Sequence, residues 1–399
     1  MNILHRQFKT IWSWTEIAKG LFKELPDHNF TTEYSNANTN TDGYDVILVQ
    51  QALILSNIQQ KYKAIARIGT NSIFDGRYQV DEIKNNMRQC FAVIATNNFL
   101  YKIAKEVNPN TVLIPNGIDL TEWSIIKKQP KEFTVGFVGN ISNLEYRDYK
   151  GYDFVEQACK ELDIPLRTAL YGENQILHDE MRARFYSKVS CIVHPTKGEG
   201  NSNTLMEAIA CGIPCITTRE AGFHGEMLEQ EKNVLFCERS VESVKQCIEQ
   251  LRKDKGLYKK IKINGRKFAE QYHDIKKIAK QYDALFQACY RANKERERQQ
   301  VKGRCKVKVK VIKEFYEDYI CMPGDIFETT EERARQLKGY VVPVEQTPPQ
   351  VVKAVVEPPR DKMVKEPVEK KEIDEFVCDV CGFKAKNKLG LINHQRRHR

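Results

Sequence analysis

The sequence has no apolar run of the length that a membrane span requires. A membrane helix needs about 20 consecutive apolar residues, and no stretch of the 399 residues approaches that length. Residues 1–14 include Arg6 and Lys9 but lack the apolar segment that follows the basic residues of a signal peptide. We therefore expect a cytoplasmic protein that does not insert into a membrane.

Cysteine pairs with the spacing of metal ligands are scarce, and so is charge of one dominant sign. The 12 cysteines are scattered, and only Cys378 and Cys381 lie close together with histidines beyond them. Without an export signal, scattered cysteines favour reduced thiols over a disulfide framework. The net charge of +10, with 41% hydrophobic and 29% charged residues, fits a soluble globular protein. An excess of this size fits a partner such as a nucleotide, nucleic acid or phosphosugar.

The sequence is rich in short apolar runs that alternate with amphipathic segments over residues 1–285. This alternation predicts an α/β fold with parallel sheets that helices cover on both faces. Two series of runs, separated near residues 120–131, predict two domains at residues 1–125 and 126–298. The charged helical segment 254–298 is expected to close the second domain and to pack back on the first. The predicted strands are 44–49, 64–68, 91–95, 112–115, 134–138, 166–170, 191–193 and 214–217, and 152–162 and 241–251 are predicted helices.

The most informative stretch is 195–214, where a strand end, a polar glycine-rich turn, a helix and a Gly-x-Pro stop follow one another. Ligands of open α/β sheets bind at the carboxyl ends of strands. The backbone amides of the turn would lie at the N-terminus of the helix, where they suit a diphosphate. Glu199 and Glu207 flank this turn with seven residues between them. Both carboxylates can therefore face one crevice.

This stretch resembles the EX7E signature of retaining glycosyltransferases with the GT-B fold, specifically the family 4-like group. The likeness extends to Val138-Gly139 at a strand end, to the pair Lys150-Gly151, and to the Ile-Pro-Asn-Gly-Ile-Asp segment at 114–119. That segment is similar to the element that ends the first domain of the family. The resemblance covers about residues 91–245, and it implies two Rossmann-like domains that face a cleft.

The resemblance also implies an activity, which is hexosyl transfer from a UDP- or GDP-sugar with retention of configuration and without a catalytic metal. Glu207 would bind the ribose hydroxyls, Glu199 would touch the transferred sugar, and Lys150 would neutralise the leaving diphosphate. The arginine that usually follows the Val-Gly is Asn140 here, and Arg147 is a nearby substitute. The donor-binding set predicted in this way is Gly139, Asn140, Arg147, Lys150, Gly200, Asn201, Ser202, Asn203, Thr204 and Glu207.

Other polar residues near these motifs have both a structural and a functional interpretation. His194, at a strand end, fits a site residue and a structural hydrogen-bonding histidine equally well. Asn116 and Asp119 fit turn and cap positions better than ligand positions. Thr96 and Asn97 end a first-domain strand on the cleft side, and the sequence favours neither role for them.

The end of the chain has the ligand spacing of a C2H2 zinc finger within residues 374–399. Four ligands would close the coordination shell of the ion, so the zinc would be structural. The finger is basic, which favours phosphate contact, but a protein-binding tether fits equally well. The predicted ligands are Cys378, Cys381, His394 and His398.

Two further segments are predicted between the second domain and the finger. Residues 302–345 alternate lysine with apolar residues and contain turn signals, which indicates a small β-rich module. This module resembles small domains of bacteriophage structural proteins, which favours a phage origin. Residues 346–373 are rich in Pro, Val, Lys and Glu and are predicted to form a flexible linker.

Three functions are consistent with these features. The first is glycosyl transfer to an acceptor that the sequence does not identify, with phage DNA, virion protein and surface glycans as candidates. The second is a catalytically weak GT-B binding protein, tethered to nucleic acid or a virion through its C-terminal modules. Asn140 and the short first domain favour this second function, whereas Glu199, Glu207 and Lys150 favour the first. The third is a GT-B epimerase, which would isomerise the sugar without an acceptor.

Overall fold

A computed structural model describes residues 1–7, 13–34, 40–70, 80–128, 130–301, 306–311, 313, 315–316, 320–321, 326–344, 376–377 and 384–385. The chain divides into two compact units, Met1–Val355 and Val356–Arg399. The predicted linker at 346–373 lies outside the described residues, as do the predicted zinc ligands Cys378, Cys381, His394 and His398.

Residues 2–113 form a six-stranded sheet in which every strand is parallel to its neighbours. The order is β2-β1-β3-β4-β5-β6, and the apolar residues of β3, β4 and β5 are buried on both faces. Near-continuous apolar strands of this kind are typical of parallel sheets with helices on either side. The elements are β1 (Asn2–Gln7), α1 (Ser13–Lys23), β2 (Asn29–Tyr34), β3 (Val46–Val49), β4 (Ala64–Ile68), α2 (Val80–Gln89), β5 (Ala92–Ala95), α3 (Asn98–Val107) and β6 (Thr111–Leu113).

A second parallel sheet of five strands follows, in the order β11-β10-β9-β7-β8. Its helices pack on both faces and enclose two hydrophobic clusters. The elements are β7 (Val135–Gly139), α4 (Leu144–Lys150), α5 (Tyr152–Glu161), β8 (Leu166–Leu170), α6 (Met181–Arg184), β9 (Cys191–His194), α7 (Asn203–Ala210), β10 (Cys215–Thr217), α8 (Phe223–Met227), β11 (Leu235–Phe236), α9 (Val241–Lys253) and α10 (Lys255–Tyr272).

A long helix, α11 (Ile275–Val301), returns from the second sheet to the first. The chain crosses at His273, whose carbonyl oxygen accepts a hydrogen bond from the amide of Ile118 at 2.7 Å. Residues of α11 such as Ile278 and Phe286 then pack in one cluster with the first sheet. The expectation that this segment packs back on the first domain is confirmed.

The eight predicted strands all form, with ends that differ by at most two residues from the predicted ones. The strands β1, β2 and β11 were not predicted. In β1 only Ile3 and Leu4 are apolar, whereas His5, Arg6 and Gln7 are polar yet buried. Hydrophobic patterning therefore carries no strand signal there, although β1 lies inside the sheet between β2 and β3. The domain boundary at residue 125 stays a prediction; the two sheets lie on either side of it.

The described residues between 306 and 344 contain a three-stranded antiparallel sheet and a hairpin. The sheet has the order β15-β12-β16, and β13 pairs with β14. In the second unit, β17 (Phe376–Val377) and β18 (Lys384–Ala385) pair in antiparallel fashion. No helix in the described ranges is both long enough and apolar enough to cross a membrane. The other elements are β12 (Lys306–Val311), β13 (Phe315–Tyr316), β14 (Ile320–Cys321), β15 (Ile326–Thr330), α12 (Glu331–Gln336) and β16 (Val341–Pro343).

Candidate active site

Lys150 is the last residue of α4, and the local fold holds that helix end against the segment after β9. Gly151 ends the helix with a φ of 70°, a left-handed conformation that favours glycine. A Cβ atom on Gly151 would lie 2.5 Å from the carbonyl oxygen of Pro195, so the two chain segments touch there. The guanidinium of Arg239 donates to the carbonyl oxygens of Pro195 and Asp148 and joins the same two segments.

The ammonium of Lys150 forms an ion pair with the Glu199 carboxylate in the loop after β9. His194 Nε2 lies 3.2 Å from the same carboxylate oxygen and 3.4 Å from the Ser202 hydroxyl. Burial acts to raise the pKa of Glu199, but the charge of Lys150 and the contact with His194 hold it well below its usual range. Burial lowers the pKa of His194 in turn, so the buried ring is neutral. Lys150 and Glu199 therefore form an ion pair that joins the end of α4 to the loop after β9.

Glu207 lies in the second turn of α7, a helix whose N-terminus is capped by the Ser202 hydroxyl. One carboxylate oxygen accepts a hydrogen bond from the Tyr186 hydroxyl at 2.8 Å, and the other lies 3.0 Å from His178 Nε2. Burial acts to lower the pKa of His178, but the contact with Glu207 raises it overall. Burial and the Glu207 charge together raise the pKa of Tyr186 well above its usual range. Glu207 is thus a carboxyl group that is only 7% exposed and has a buried donor on one oxygen.

A cleft of about 340 Å³ opens beside Glu207, between α1 and the second sheet's helices. Neither Lys150 nor Glu199 lines it among the described residues, so the two carboxylates face different surroundings. They are connected through Ser202, which caps α7 and contacts His194. The residues that line the cleft include Lys19, Asp119, Trp123, His178, Asn203 and Glu207.

The glycine-rich turn is also held from the loop between the two sheets. The Asn116 amide N–H donates to Asn201 Oδ1 at 2.5 Å, and its side-chain amide donates to Asn203 Oδ1 at 2.7 Å. Arg67, fully buried on β4, donates to Asn116 Oδ1. Asn116 is therefore a junction of the turn and the first sheet rather than a simple turn residue. Asp119 has the predicted cap role, since it accepts from the amide of Thr121 at 2.9 Å.

Several residues of the predicted donor set have other partners nearby. Arg147 forms ion pairs with Asp153 and with Glu156, the latter at 2.8 Å. Asn140 accepts a hydrogen bond from the amide of Ser142 at 2.9 Å, which closes a local turn. Gly139 ends β7 close to Lys150, because a Cβ on it would lie 3.7 Å from Lys150 Cγ.

Sequence reasoning missed two residues of the site, His178 and Tyr186, which contact Glu207 from 29 and 21 residues away in the chain. Neither belongs to a motif, so no signal in the sequence could have identified them. Asn97, for which no role was favoured, contacts the loop of Glu199 from the first sheet. In the part of the chain that the structure describes, no three His, Cys, Asp or Glu side chains cluster as a metal site would require.

Known glycosyltransferases are similar to parts of this chain. Residues 125–268 match the family model of Glycosyl transferases group 1. The capsular polysaccharide biosynthesis glycosyltransferase CapM of Staphylococcus aureus is 25% identical over 215 residues, which cover 46% of this chain and 56% of CapM. The uncharacterized glycosyltransferase MJ1178 of Methanocaldococcus jannaschii is 24% identical over 247 residues, which cover 56% of this chain and 66% of MJ1178. The matches thus span only part of each relative.

Solved structures are similar over both sheets. HepE of Anabaena, in complex with UDP-glucose, superposes with a TM-score of 0.59 at 14% identity and covers 72% of this chain and 100% of HepE. Sucrose-phosphate synthase of Thermosynechococcus elongatus superposes with a TM-score of 0.58 at 14% identity, and the match covers 73% of this chain and 100% of the synthase. Identities this low establish the fold alone. Residues 125–268 are therefore similar to the Glycosyl transferases group 1 family, and the two parallel sheets form a GT-B-like α/β fold.

Proposed function

We propose that this protein is a glycosyltransferase that moves a hexosyl group from a nucleotide-sugar donor to an acceptor, with retention of anomeric configuration. The observation that carries the proposal is the Lys150–Glu199 ion pair at the carboxyl edge of the second sheet, beside the N-terminus of α7. Ligands of open α/β sheets bind at this edge. HepE, which shares the fold, was solved with UDP-glucose, and this supports a UDP-sugar as donor.

In this proposal the bond between the anomeric carbon and the diphosphate breaks, and its electron pair leaves with the diphosphate oxygen. Lys150 would neutralise the charge that develops on that oxygen, where fixed cations stabilise a transition state most effectively. Glu199 would hold hydroxyls of the transferred sugar. The acceptor hydroxyl would form the new bond to the anomeric carbon, and its proton would pass to the departing diphosphate oxygen.

The remaining donor contacts would come from the glycine-rich turn and from α7. Glu207 would accept hydrogen bonds from the ribose hydroxyls. Backbone amides at a helix N-terminus suit a phosphate, because the helix dipole and the N–H groups both favour negative charge. The proposed donor-binding residues besides Lys150 and Glu207 are Gly139, Asn140, Arg147, Gly200, Asn201, Ser202, Asn203 and Thr204.

The test is release of nucleoside diphosphate from a panel of UDP- and GDP-sugars, with and without candidate acceptors. Glu207→Ala should lower kcat/KM about 10- to 100-fold, as expected when hydrogen bonds to a charged group are lost. Glu242→Ala, which removes an exposed carboxylate on α9, is the matched control and should leave kcat/KM unchanged. A wild-type protein that neither binds nor cleaves any sugar nucleotide would contradict the proposal.

One observation favours a second candidate, a GT-B binding protein with little turnover. Asn140 occupies the position where the family usually has an arginine. The guanidinium of the nearby Arg147 forms ion pairs with Asp153 and Glu156. A weaker phosphate site would slow departure of the diphosphate more than it weakens nucleotide binding. Calorimetry that detects UDP-sugar binding, with no product after prolonged incubation, would favour this candidate over the enzyme.

We further propose a structural zinc ion at the end of the chain. Two thiolates and two imidazoles are a donor set that zinc prefers. The antiparallel strands Phe376–Val377 and Lys384–Ala385 flank the segment that contains both cysteines. The purified protein should contain about one zinc ion per chain, and Cys378→Ser should abolish it. A full-length protein without zinc would refute this assignment. The ligands are Cys378, Cys381, His394 and His398.

The acceptor of the sugar and the binding partner of the basic zinc finger at 374–399 can be tested in the same experiments. A phage origin would make DNA, virion protein and surface glycans the acceptors to test first. Binding to DNA that weakens with rising salt and disappears on zinc chelation would identify a nucleic-acid partner. Unchanged activity on glycans after chelation would instead indicate a tether.

A further inference from the structure

Asn97 joins the first sheet to the loop that carries Glu199. It follows β5 and precedes α3, and its side chain is fully buried. Its carboxamide oxygen caps α3 by accepting a hydrogen bond from the amide of Leu100 at 2.8 Å. Its carboxamide nitrogen donates to the carbonyl oxygen of Gly200 at 3.0 Å and lies 3.3 Å from that of Glu199. One side chain therefore serves two elements that lie on different sheets.

The surroundings of Asn97 form a close interface between the two sheets. The Glu226 carboxylate on α8 accepts hydrogen bonds from the amides of Asn98 and Phe99 at 2.8 and 3.2 Å. Gly200 packs so tightly on Gly69, after β4, that a Cβ atom would collide with the Gly69 carbonyl group. The Glu199 loop thus rests directly on the ends of β4 and β5.

The second sheet holds the same loop from the other side. The amide of Glu199 donates to the carbonyl of Glu220, and the Gly200 carbonyl also accepts from the amide of Phe223 at 3.1 Å. The Gly200 carbonyl oxygen therefore receives one donor from each sheet. Loss of the Asn97 donor would leave the loop attached to its own sheet and would remove its direct hydrogen bond to the end of β5, so that the packing on Gly69 and the bonds of Asn116 alone would align it with the first sheet.

We infer that Asn97 is a positioning residue, whose amide nitrogen aligns Glu199 with the first sheet for the transfer step. This rests on the proposed glycosyltransferase function. Donor binding needs only the second sheet, whereas transfer also needs an acceptor held at a fixed place relative to Glu199. A small misplacement of reacting groups lowers the rate strongly and leaves binding of one partner nearly unchanged.

A purely structural role as helix cap is the competing explanation, and Asn97→Asp separates the two. Aspartate caps a helix as well as asparagine does, so the bond to Leu100 survives. The donor nitrogen is replaced by a carboxylate oxygen that faces the carbonyl oxygens of Glu199 and Gly200. The variant therefore keeps the cap and breaks the contact with the loop.

Asn108, at the other end of α3, provides a matched control. It is also buried, and its amide nitrogen donates to the carbonyl oxygens of Met87 and Cys90 at 2.8 and 3.0 Å. Asn108→Asp makes the same chemical change in the same sheet but away from the Glu199 loop. Any general effect of a buried aspartate on the fold appears in both variants.

The experiment compares both variants with the wild type in full-length protein, below the unfolding temperature and corrected for the folded fraction. Asn97→Asp should lower kcat for transfer at least about tenfold, with donor Kd within about twofold of wild type. Asn108→Asp should keep kcat within about twofold. Equal kcat for Asn97→Asp and wild type, or equal losses in both variants, would overturn the inference.

Hydrogen exchange keeps the inference testable if the protein has no turnover. The amides of residues 199–203 should exchange faster in Asn97→Asp than in wild type, and at the wild-type rate in Asn108→Asp. No faster exchange in Asn97→Asp would overturn the inference whatever the activity. Absence of turnover in the wild type, together with faster exchange in Asn97→Asp, would instead refute the proposed function and leave the Asn97 contact established.

Discussion

The carboxyl edges of the two parallel sheets carry different kinds of side chain. At the carboxyl edge of the second sheet, a lysine and a glutamate face each other beside glycine-rich turns. At the same edge of the first sheet, the strands end in buried neutral residues such as Gln7, Gln50, Thr96 and Asn97. Their contacts hold neighbouring segments in place, as in the Thr96 hydroxyl donating to the Ile68 carbonyl. The Lys150–Glu199 ion pair thus lies at the edge of the second sheet, whereas the first sheet contributes buried side chains that contact neighbouring segments.

Replacing Lys150 at the edge of the second sheet should lower activity more than any other substitution. Lys150→Met should lower kcat about 10²- to 10³-fold, as the loss of a fixed group that stabilises a developing charge does. Without the ammonium, burial would raise the pKa of Glu199. Lys160→Met, an exposed lysine on α5, is the control that should leave kcat unchanged. Similar rates for Lys150→Met and wild type would remove the basis for assigning the chemistry to this sheet.

The contact between the sheets can be tested with two glycines. Gly200→Ala would force a methyl group against the Gly69 carbonyl, and overpacking of this kind costs about 1–3 kcal/mol. Gly20→Ala, within α1, has room, since the nearest atom outside its own helix, Ile275 Cγ1, would lie 4.0 Å from the added Cβ. That substitution should stabilise the protein by about 0.5–1 kcal/mol. Urea unfolding of both variants measures the two changes in stability. A Gly200→Ala variant as stable as the wild type would show that Gly200 and Gly69 are not in tight contact.

The His178–Glu207 contact should make stability depend on pH. Because this contact raises the pKa of His178, its contribution is fully present below the unfolded pKa near 6.5 and is lost as pH rises through the folded pKa. His178→Gln should therefore lower Tm more at about pH 5.5 than at about pH 9. Tyr186→Phe removes the other hydrogen bond to Glu207 and should lower Tm equally at both pH values.

Arg147 should give the smallest effect. Its ion pairs with Asp153 and Glu156 are exposed, and such pairs contribute about 0–1 kcal/mol. We expect Arg147→Ala to raise the donor Kd about threefold, and Arg184→Ala, which removes another exposed ion pair, to leave it unchanged. Equal donor Kd for the two variants, measured by calorimetry, would show that Arg147 takes no part in donor binding.

Much of the second sheet could be predicted because its signals are local. The alternation of apolar runs identified β7 to β10, and the Lys150–Gly151 pair was singled out by its resemblance to the family's Lys-Gly pair, although the helix that ends there was not predicted. The first sheet was less predictable, since β1 buries His5, Arg6 and Gln7 and breaks the hydrophobic pattern. Burial of Arg6 is tolerated because Glu33 on β2 pairs with it at 2.9 Å. No sequence pattern predicts that Glu33 pairs with Arg6.

Motifs within about 20 consecutive residues specified the glycine-rich turn, the start of α7 and the spacing of Glu199 and Glu207, because neighbouring residues constrain backbone geometry directly. The partners of those carboxylates depended on folding. Asn97 reaches the Gly200 carbonyl across 103 residues, and His178 reaches Glu207 across 29. Contacts at such separations leave no period or motif in the chain, since they form only when whole sheets and helices pack together.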